Sequence, residues 1–130
     1  MRNSVLIDTH TLLWYAKGDD RLDPTVRALI SDRQTTPYVS KASLWEITIK
    51  AALGKLDLGT SFNTFMDEIP RQGFQFLDIE PDDLRVLYTL PMHHSDPFDR
   101  LIIAQAIART WPVASDDGKF KLYPIELITG

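Results

Sequence analysis

Acidic residues in a particular placement are the main chemical signal of this sequence. Asp8 follows a short apolar run that predicts a strand, and Asp116 and Asp117 follow another such run. Glu46 lies in the early part of one predicted helix, and Asp99 lies in the first turn of a second. Because ligands of open parallel sheets bind beyond the carboxyl ends of the strands, we expect these carboxylates to converge at one edge of a sheet.

Three or four carboxylates within a few ångströms of one another repel strongly at neutral pH. A bound divalent cation relieves this repulsion, and a set of oxygen ligands suits Mg²⁺, with Mn²⁺ as the alternative. Such a site supports phosphodiester hydrolysis, because the metal activates a water molecule and stabilises the charge on the leaving oxygen.

Each of these acids also has a structural explanation. Asp8 is a potential N-cap for a helix that begins at Thr9. Asp96 precedes Pro97, an arrangement typical of an N-cap followed by proline at the first helical position. Asp99 is then the third helical residue, where an acid completes a capping box and interacts favourably with the helix dipole. The positive end of the helix dipole disfavours a cation at a helix N-terminus, which weakens the hypothesis that Asp96 binds a metal.

Glu46 taken alone favours a structural role. It stands three residues after Ser43, the spacing of a capping box, and four before Lys50, the spacing of a surface ion pair. Residues 116–118, Asp-Asp-Gly, are also compatible with a simple turn. The joint placement of the acids, rather than any single one, favours a functional site.

The elements that would position these residues alternate between short apolar runs and longer helical stretches, which predicts an α/β fold. The predicted strands are 4–7, 38–40, 74–79, 112–115 and a last short one within 122–129. The predicted helices are 9–17, 24–33, 41–55, 61–69 (limited by Pro70), 81–90 and 97–109. This pattern favours a mostly parallel central sheet of four to five short strands with helices on both faces.

Two of the predicted helices carry informative apolar residues. Helix 97–109 is apolar on nearly all sides and is therefore expected to be buried. Helix 41–55 has apolar residues at helical spacing, namely Ala42, Trp45, Ile49, Leu53 and Leu56. Glu46 lies beside this stripe, so we do not expect it on a purely solvated face.

Length and composition restrict the class of protein. The chain has 130 residues, 44% hydrophobic and 25% charged, which predicts one globular domain over 1–130. It contains no cysteine, which excludes disulfides, Cys-ligated zinc and thiol nucleophiles and agrees with a cytoplasmic location. No apolar run approaches the ~18 residues of a membrane span. The net charge of −4 argues against a protein that coats nucleic acid non-specifically, but not against an enzyme that meets it through a metal.

Four motifs spread over nearly the whole chain resemble the PIN domain family, and within it the VapC-type toxins. These motifs are Val5–His10, Ser43–Ile47, His93–Ala106 and Pro112–Phe120, of which His93–Ala106 is the most specific. The resemblance implies a ribonuclease that depends on Mg²⁺ or Mn²⁺ and leaves 5′-phosphate and 3′-hydroxyl ends. It also implies a homodimer that is neutralised by a cognate antitoxin, whose C-terminal segment enters the site.

The resemblance assigns four acids to the catalytic metal site: Asp8, Glu46, Asp99 and Asp117. Asp117 fits the family's fourth position because it stands two residues after Ser115 and three before Phe120, with Asp116 as the alternative. Ser115 occupies a position where the family often has threonine, and its hydroxyl is expected to orient a carboxylate or a water. Thr9 is expected to play a similar part.

The remaining polar candidates are histidines and cations. His93 and His94 are adjacent, so both could ligate one metal only in a strained loop, and we expect one of them to be structural or to contact a substrate phosphate. His10 is a third candidate. The lysines and arginines that could contact an RNA backbone are Lys41, Lys50, Arg71, Arg100, Lys119 and Lys121. Arg100 is favoured because it follows Asp99, with a solvated charge or an ion pair as an equal alternative.

Aromatic and apolar side chains at helical spacing are more typical of a core or a dimer interface than of a base-stacking surface. They are Trp14, Tyr15, Phe62, Phe65 and Met66.

Two other functions compete with the nuclease. A haloacid-dehalogenase type phosphatase would need a second Asp two residues after Asp8, where this chain has His10, and a receiver domain would need an acidic pair where Arg2 and Asn3 stand. A degenerate PIN domain that only binds a partner is the second alternative, and the presence of all four acids counts against it.

Overall fold

Five parallel strands form the central sheet of the computed structural model, which describes residues 2–129. In chain order the strands are β1 Asn3–Ile7, β2 Thr35–Ser40, β3 Gln75–Leu77, β4 Val113–Ala114 and β5 Leu127–Ile128. The helices are α1 Thr9–Lys17, α2 Pro24–Ser31, α3 Lys41–Ala52, α4 Phe62–Arg71, α5 Pro81–Thr89 and α6 Pro97–Arg109, with a 3₁₀ helix at Gly118–Leu122. None of the described helices has the length and apolar character that crossing a membrane requires.

Both faces of the sheet are covered, as the sequence predicts. In β1, Val5 and Ile7 point into the core formed with α1, α2, α3 and α4. Leu6 points to the opposite face, where it joins a second core with residues of α6 such as Ile102 and Ile103. Successive side chains of a strand alternate between faces, so a strand that is apolar at every position is one buried on both sides. The predicted α/β class with helices on both faces is therefore confirmed.

The order of the strands creates a switch point beside β1. The sheet has the order β3-β2-β1-β4-β5, so the chain moves outward from β1 to β3 and then returns to the other side of β1. Ligands of open α/β sheets bind in the crevice where the strand order reverses. Asp8 directly follows β1 and Ser115 directly follows β4, which places both at the carboxyl edge of this crevice.

Strand β2 begins three residues earlier than predicted, at Thr35 rather than Tyr38. The prediction of a strand over 38–40, just after Pro37, was therefore too short at its start. Pro37 pairs with Val5 of β1, but β3 pairs only with residues from Tyr38 onward. A proline lacks the N–H that a second neighbour would need, and here that neighbour does not reach it.

Other predicted boundaries were too generous. Helix α3 ends at Ala52 instead of residue 55, because Gly54 adopts a left-handed conformation with φ of 72°. Helix α2 ends at Ser31 because Asp32 is extended. Strand β3 covers three residues of the predicted six, and the segment predicted as a last strand is partly 3₁₀ helix. Helix α4 continues one residue past Pro70, because a proline in the last turn removes only one bond of the helical ladder.

Helix α3 buries a different face from the one its apolar spacing indicates. Trp45 is 60% exposed and Leu53 is 64% exposed, so these residues of the apolar stripe face outward, whereas Ala42 at its start is buried. The buried face instead carries Ala42, Ser43, Leu44, Glu46 and Ile47. Two of these buried residues, Ser43 and Glu46, are polar, so this face of α3 does more than form the apolar core.

A buried polar network joins α5 to α6. The Asp83 side chain is 1% exposed, and its carboxylate accepts hydrogen bonds from Arg109 Nη1 at 2.6 Å and Nη2 at 3.2 Å. Gln105 Nε2 lies 3.3 Å from the same carboxylate. Removing one partner of a buried pair leaves the other charge without compensation.

We therefore predict that Arg109→Met lowers the free energy of unfolding by about 2 kcal/mol, below the ~3–5 kcal/mol of a fully buried pair because Arg109 is partly exposed. Urea unfolding followed by circular dichroism measures this change. Arg85→Met, which breaks an exposed pair with Asp82 on the same helix, is the control and should cost less than about 0.5 kcal/mol. An equal loss of unfolding free energy in the two variants would contradict the claim that the Asp83–Arg109 pair stabilises the packing of α5 against α6.

Candidate metal centre

Asp8 combines a structural bond with a place at the switch point. It is the N-cap of α1, and its Oδ1 accepts a hydrogen bond from the Thr11 N–H at 2.9 Å. Its Oδ2 accepts a hydrogen bond from Ser115 Oγ at 2.5 Å. Burial raises the pKa of the Asp8 carboxyl, while the bonds from Ser115 and Thr11 act in the opposite direction. A carboxylate has about four acceptor positions, so the capping role leaves lone pairs for a metal.

Glu46 reaches the same region from α3. Its side chain is buried, with Oε1 accepting a hydrogen bond from Thr9 Oγ1 at 2.8 Å and Oε2 lying 2.6 Å from Lys50 Nζ. Thr9 Oγ1 is also 3.0 Å from Ser43 Oγ. The predicted ion pair with Lys50 is therefore present, whereas the predicted capping box with Ser43 is wrong, because Ser40 caps α3.

Asp96 and Asp99 have different roles at the start of α6. Asp96 is the N-cap, as predicted, and its Oδ1 accepts hydrogen bonds from the N–H groups of Phe98 at 2.9 Å and Asp99 at 3.0 Å. The Asp99 carboxylate therefore takes no part in capping the helix. Its Oδ2 lies 3.1 Å from His94 Nε2.

The structure places Asp117, rather than Asp116, beside Asp99. Asp117 Oδ2 lies 2.9 Å from the same His94 Nε2, and its Oδ1 accepts a hydrogen bond from the Lys119 N–H at 2.9 Å. Partial burial opposes the effect, but the bonds from Lys119 and His94 lower the pKa of Asp117. Asp116 is exposed and lines a small pocket on the α1 and α2 side instead.

His94 links these two acids as a hydrogen-bond donor. Its Nδ1 accepts the Asp96 N–H at 3.2 Å, so Nδ1 carries a lone pair. In the neutral imidazole the proton then sits on Nε2, which faces Asp99 and Asp117. This tautomer orients carboxylates, as partners of metal ligands commonly do, and it offers no lone pair to a metal at Nε2. His93 is exposed and stacks edge-on against Tyr123.

Tyr123 and Arg100 hold the loop that carries His94. Tyr123 Oη accepts hydrogen bonds from the N–H groups of His93 and His94, at 3.1 and 2.9 Å, and donates to the Pro91 carbonyl at 2.8 Å. Arg100 donates to the carbonyl oxygens of Pro91 at 2.9 Å and Leu90 at 3.3 Å. The sequence favoured Arg100 as a contact to RNA, but its guanidinium is engaged with main-chain carbonyls of this loop.

Electrostatics shows that the acids converge. The pKa of Asp99 is raised to about 8, first by burial and then by the charges of Asp96, Asp8, Glu46 and Asp117. The neighbouring Lys50 feels the same charges: its pKa is raised mainly by its hydrogen bond to Glu46, with smaller contributions from Asp96 and Asp99.

The donor set fits a hard divalent cation. Ligand-type atoms of His94, Asp99 and Asp117 all lie within 4.8 Å of one another. Because Nε2 of His94 carries a proton, we assign the cation-binding capacity to the carboxylate oxygens, which suit Mg²⁺ and Mn²⁺. A cation among these acids would relieve the repulsion that raises the pKa of Asp99.

Sequence reasoning missed three residues of this site. His94 and Tyr123 contact the acids or their loop, and Ser43 contacts Thr9, yet none of the three was assigned a site role. His94 was weighed only as one of two adjacent histidines, and the nearest signal was its place in the segment that leads into α6. Tyr123 lies about 30 residues further along the chain, and no periodicity marks it.

The raised pKa of Asp99 predicts a pH-dependent stability in the absence of metal. The carboxyl has an ordinary pKa of 3.8 and one of about 8 in the folded chain. As the pH rises between these values, the unfolded chain releases a proton that the folded chain retains, so the folded state loses stability. In EDTA, Asp99→Asn should therefore raise the Tm at pH 8 by at least about 3 °C and have less effect at pH 5.

Thermal melts at both pH values measure this difference, and Asp67→Asn on an exposed part of α4 is the charge-matched control. An Asp99→Asn variant that melts below the parent at pH 8 in EDTA would show that the acids do not crowd this carboxyl.

Comparison with known proteins agrees with this geometry. Residues 5–126 match the PIN domain. Similar solved structures include VapBC2 from Rickettsia felis bound to a DNA fragment from its promoter (TM-score 0.71, 16% identity, 96% of this chain and 97% of that chain). A second is DNA-bound VapBC from Salmonella typhimurium (TM-score 0.68, 17% identity, 98% of this chain and 98% of that chain). A third is a toxin–antitoxin complex from Klebsiella pneumoniae (TM-score 0.65, 15% identity, 96% of this chain and 96% of that chain).

No curated protein sequence matches the chain. At these low identities the structural likeness shows the fold alone, while the sequence match extends over nearly all of the chain. The chain belongs to the PIN domain family.

Proposed function

We propose that this chain is a metal-dependent endoribonuclease and the toxin of a toxin–antitoxin pair. The observation that carries the proposal is the convergence of four carboxylates on Asp99; burial first, and then the charges of these neighbours, raise the pKa of its carboxyl to about 8. Folding such a cluster is unfavourable by itself, and a bound cation compensates for it. Solved toxin–antitoxin complexes share this fold and support the second half of the proposal.

The proposed ligands of Mg²⁺ or Mn²⁺ are Asp8, Glu46, Asp99 and Asp117. When bound, the ion lowers the pKa of a water and stabilises the charge on the leaving oxygen. The chain's own groups prepare this arrangement. Ser115 and Thr9 orient the carboxylates of Asp8 and Glu46 through the hydrogen bonds described above. The Nε2–H of His94 holds Asp99 and Asp117 at one point.

The proposed substrate is single-stranded or loop RNA in the cytoplasm, and the proposed protein partner is a cognate antitoxin. Solved structures with this fold include a toxin–antitoxin complex and a VapBC2 complex bound to promoter DNA, which supports a partner of this kind for the present chain. A cationic segment of such a partner would complement the carboxylate cluster and prevent RNA from entering.

RNA cleavage tests the proposal directly. We expect the purified chain to cleave a structured RNA in Mg²⁺ and to be inactive in EDTA. Asp117→Asn should reduce the rate at least about 100-fold, which corresponds to ~3 kcal/mol of lost transition-state stabilisation. Asp116→Asn is the matched control, since it removes the same charge one residue away, and it should stay within about twofold of the parent.

Equal losses for the Asp116 and Asp117 variants would contradict the assignment of the fourth acid. A PIN domain that only binds a partner is the competing function. For that case we expect no rise in Tm on adding Mn²⁺, whereas a cation site specific to the folded chain raises it.

An exposed apolar surface on α3 and α4 supports the proposed homodimer. It consists of Trp45, Ile49, Leu53 and Phe62, which are 60%, 37%, 64% and 36% exposed. Contiguous exposed apolar side chains of this kind are typical of a protein–protein interface. Burying them against a second copy would also explain why the apolar stripe of α3 faces outward.

We predict that Leu53→Asp converts a dimer into a monomer, because it places a charge at the most exposed residue of this surface. Light scattering coupled to size exclusion measures the mass, and circular dichroism checks that the fold is kept. Leu122→Asp, at an apolar residue 57% exposed elsewhere, is the control and should leave the dimer intact. A dimer that persists in Leu53→Asp would place the interface on another face.

A further inference from the structure

A pocket between α1 and α3 adjoins the carboxylate cluster and has no assigned role. Its volume is about 400 Å³, within the range of pockets that bind small ligands or single nucleotide units. Thr9 and Glu46 form the wall that it shares with the candidate metal centre. A chain that leaves the acids in this direction therefore enters the pocket directly.

The charge of the pocket is opposite to that of the protein. Four cationic side chains line it, against the single acid Glu46: Lys17, Arg21, Lys50 and Lys55. The whole chain carries a net charge of −4, so this concentration of positive charge is local. A cationic pocket next to the acidic cluster attracts a polyanion, so that a strand bound in the pocket also passes the acids in one orientation.

Two of these cations are available to an anion. Lys17 and Lys55 take part in no ion pair among residues 2–129, and the Lys17 Nζ only donates to the Asp57 carbonyl at 2.5 Å. Arg21, itself exposed, is paired with the half-buried Asp19, and Lys50 is paired with Glu46.

The pocket also contains aromatic surface. His10 and Trp14 both line it, with ring centroids 6.2 Å apart, and Arg21 lies 5.4 Å from the Trp14 ring. His10 is exposed and Trp14 is half-buried, so their rings are accessible from the pocket. Cations that follow a phosphate backbone, combined with aromatic rings on which bases stack, are the usual components of a single-strand binding site.

We propose that this pocket binds the nucleotides of an RNA strand next to the bond that is cut. Lys17 and Lys55 contact its phosphates, and a base packs against His10 and Trp14. The proposal rests on the proposed nuclease function for the identity of the strand, but it concerns binding alone. It also supplies the backbone contacts that Arg100 cannot make, since the Arg100 guanidinium is bound to loop carbonyls.

The test measures binding without cleavage. A fluorescein-labelled octauridylate is titrated with the protein in EDTA, and anisotropy is recorded at several salt concentrations. The double variant Lys17→Gln/Lys55→Gln should bind about tenfold more weakly than the parent. The slope of log affinity against log salt should decrease by about 1.4, which is ~0.7 for each lost phosphate contact on a single strand.

The control is Arg33→Gln/Arg85→Gln, which makes the same change in net charge at two exposed side chains, one after α2 and one in α5. It should bind within about twofold of the parent. An unchanged affinity and slope in the lysine variant, or no measurable binding by the parent, overturns the proposal. Equal weakening in both double variants also overturns it, because the effect would then come from net charge.

Two further probes define the ligand. An octamer of abasic ribose phosphate should bind at least about fivefold more weakly than octauridylate if bases stack in the pocket. An oligoglutamate should not displace the RNA, and displacement that depends on the same lysines would assign the pocket to an acidic protein segment instead. Because these measurements are made without metal, failure of the nuclease proposal leaves the binding result interpretable.

Discussion

Repulsion among the carboxylates near Asp99 is the physical constraint that the rest of the structure has to accommodate. Asp99 sits near four other acids and is partly buried, so the folded protein holds its carboxyl protonated up to a pH of about 8. Such a cluster destabilises the fold unless a cation occupies it. The hydrogen bonds around it do not relieve the repulsion, but they prevent the side chains from turning away to solvent.

The fold supplies these restraints from separate segments that meet at one switch point. Strand ends deliver Asp8 and Ser115, which are bonded to each other across the crevice between β1 and β4. Helix starts deliver the other acids: Asp96 takes over the capping of α6 and so leaves Asp99 free. One bond to His94 then connects α6 to Asp117. The residues that cap helices and the residues of the proposed catalytic site therefore belong to one hydrogen-bonded arrangement.

The sequence predicted the local elements and the convergence of the acids at one edge of the sheet, but it did not predict the side chains that hold these acids in place. The α/β class and the capping roles of Asp8 and Asp96 follow from apolar runs and helix-start patterns, and the structure contains them. His94 bonds Asp117 and Tyr123, which lie 23 and 29 residues away in the chain, and only folding brings them together. Periodicity detects the apolar stripe of α3 without saying which side is covered, whereas the expectation that Glu46 is not on a purely solvated face is met, because Glu46 is buried.

The ionisation of Asp99 is the most direct test of this account. Carbon-detected NMR of labelled carboxyl groups would give its pKa in EDTA and again with saturating Mg²⁺. The account predicts a pKa of about 8 without metal and a value below about 5 with it, because the cation replaces the proton among the acids. A pKa near the ordinary 3.8 in EDTA, unchanged by Mg²⁺, would show that the acids neither crowd Asp99 nor bind a cation beside it.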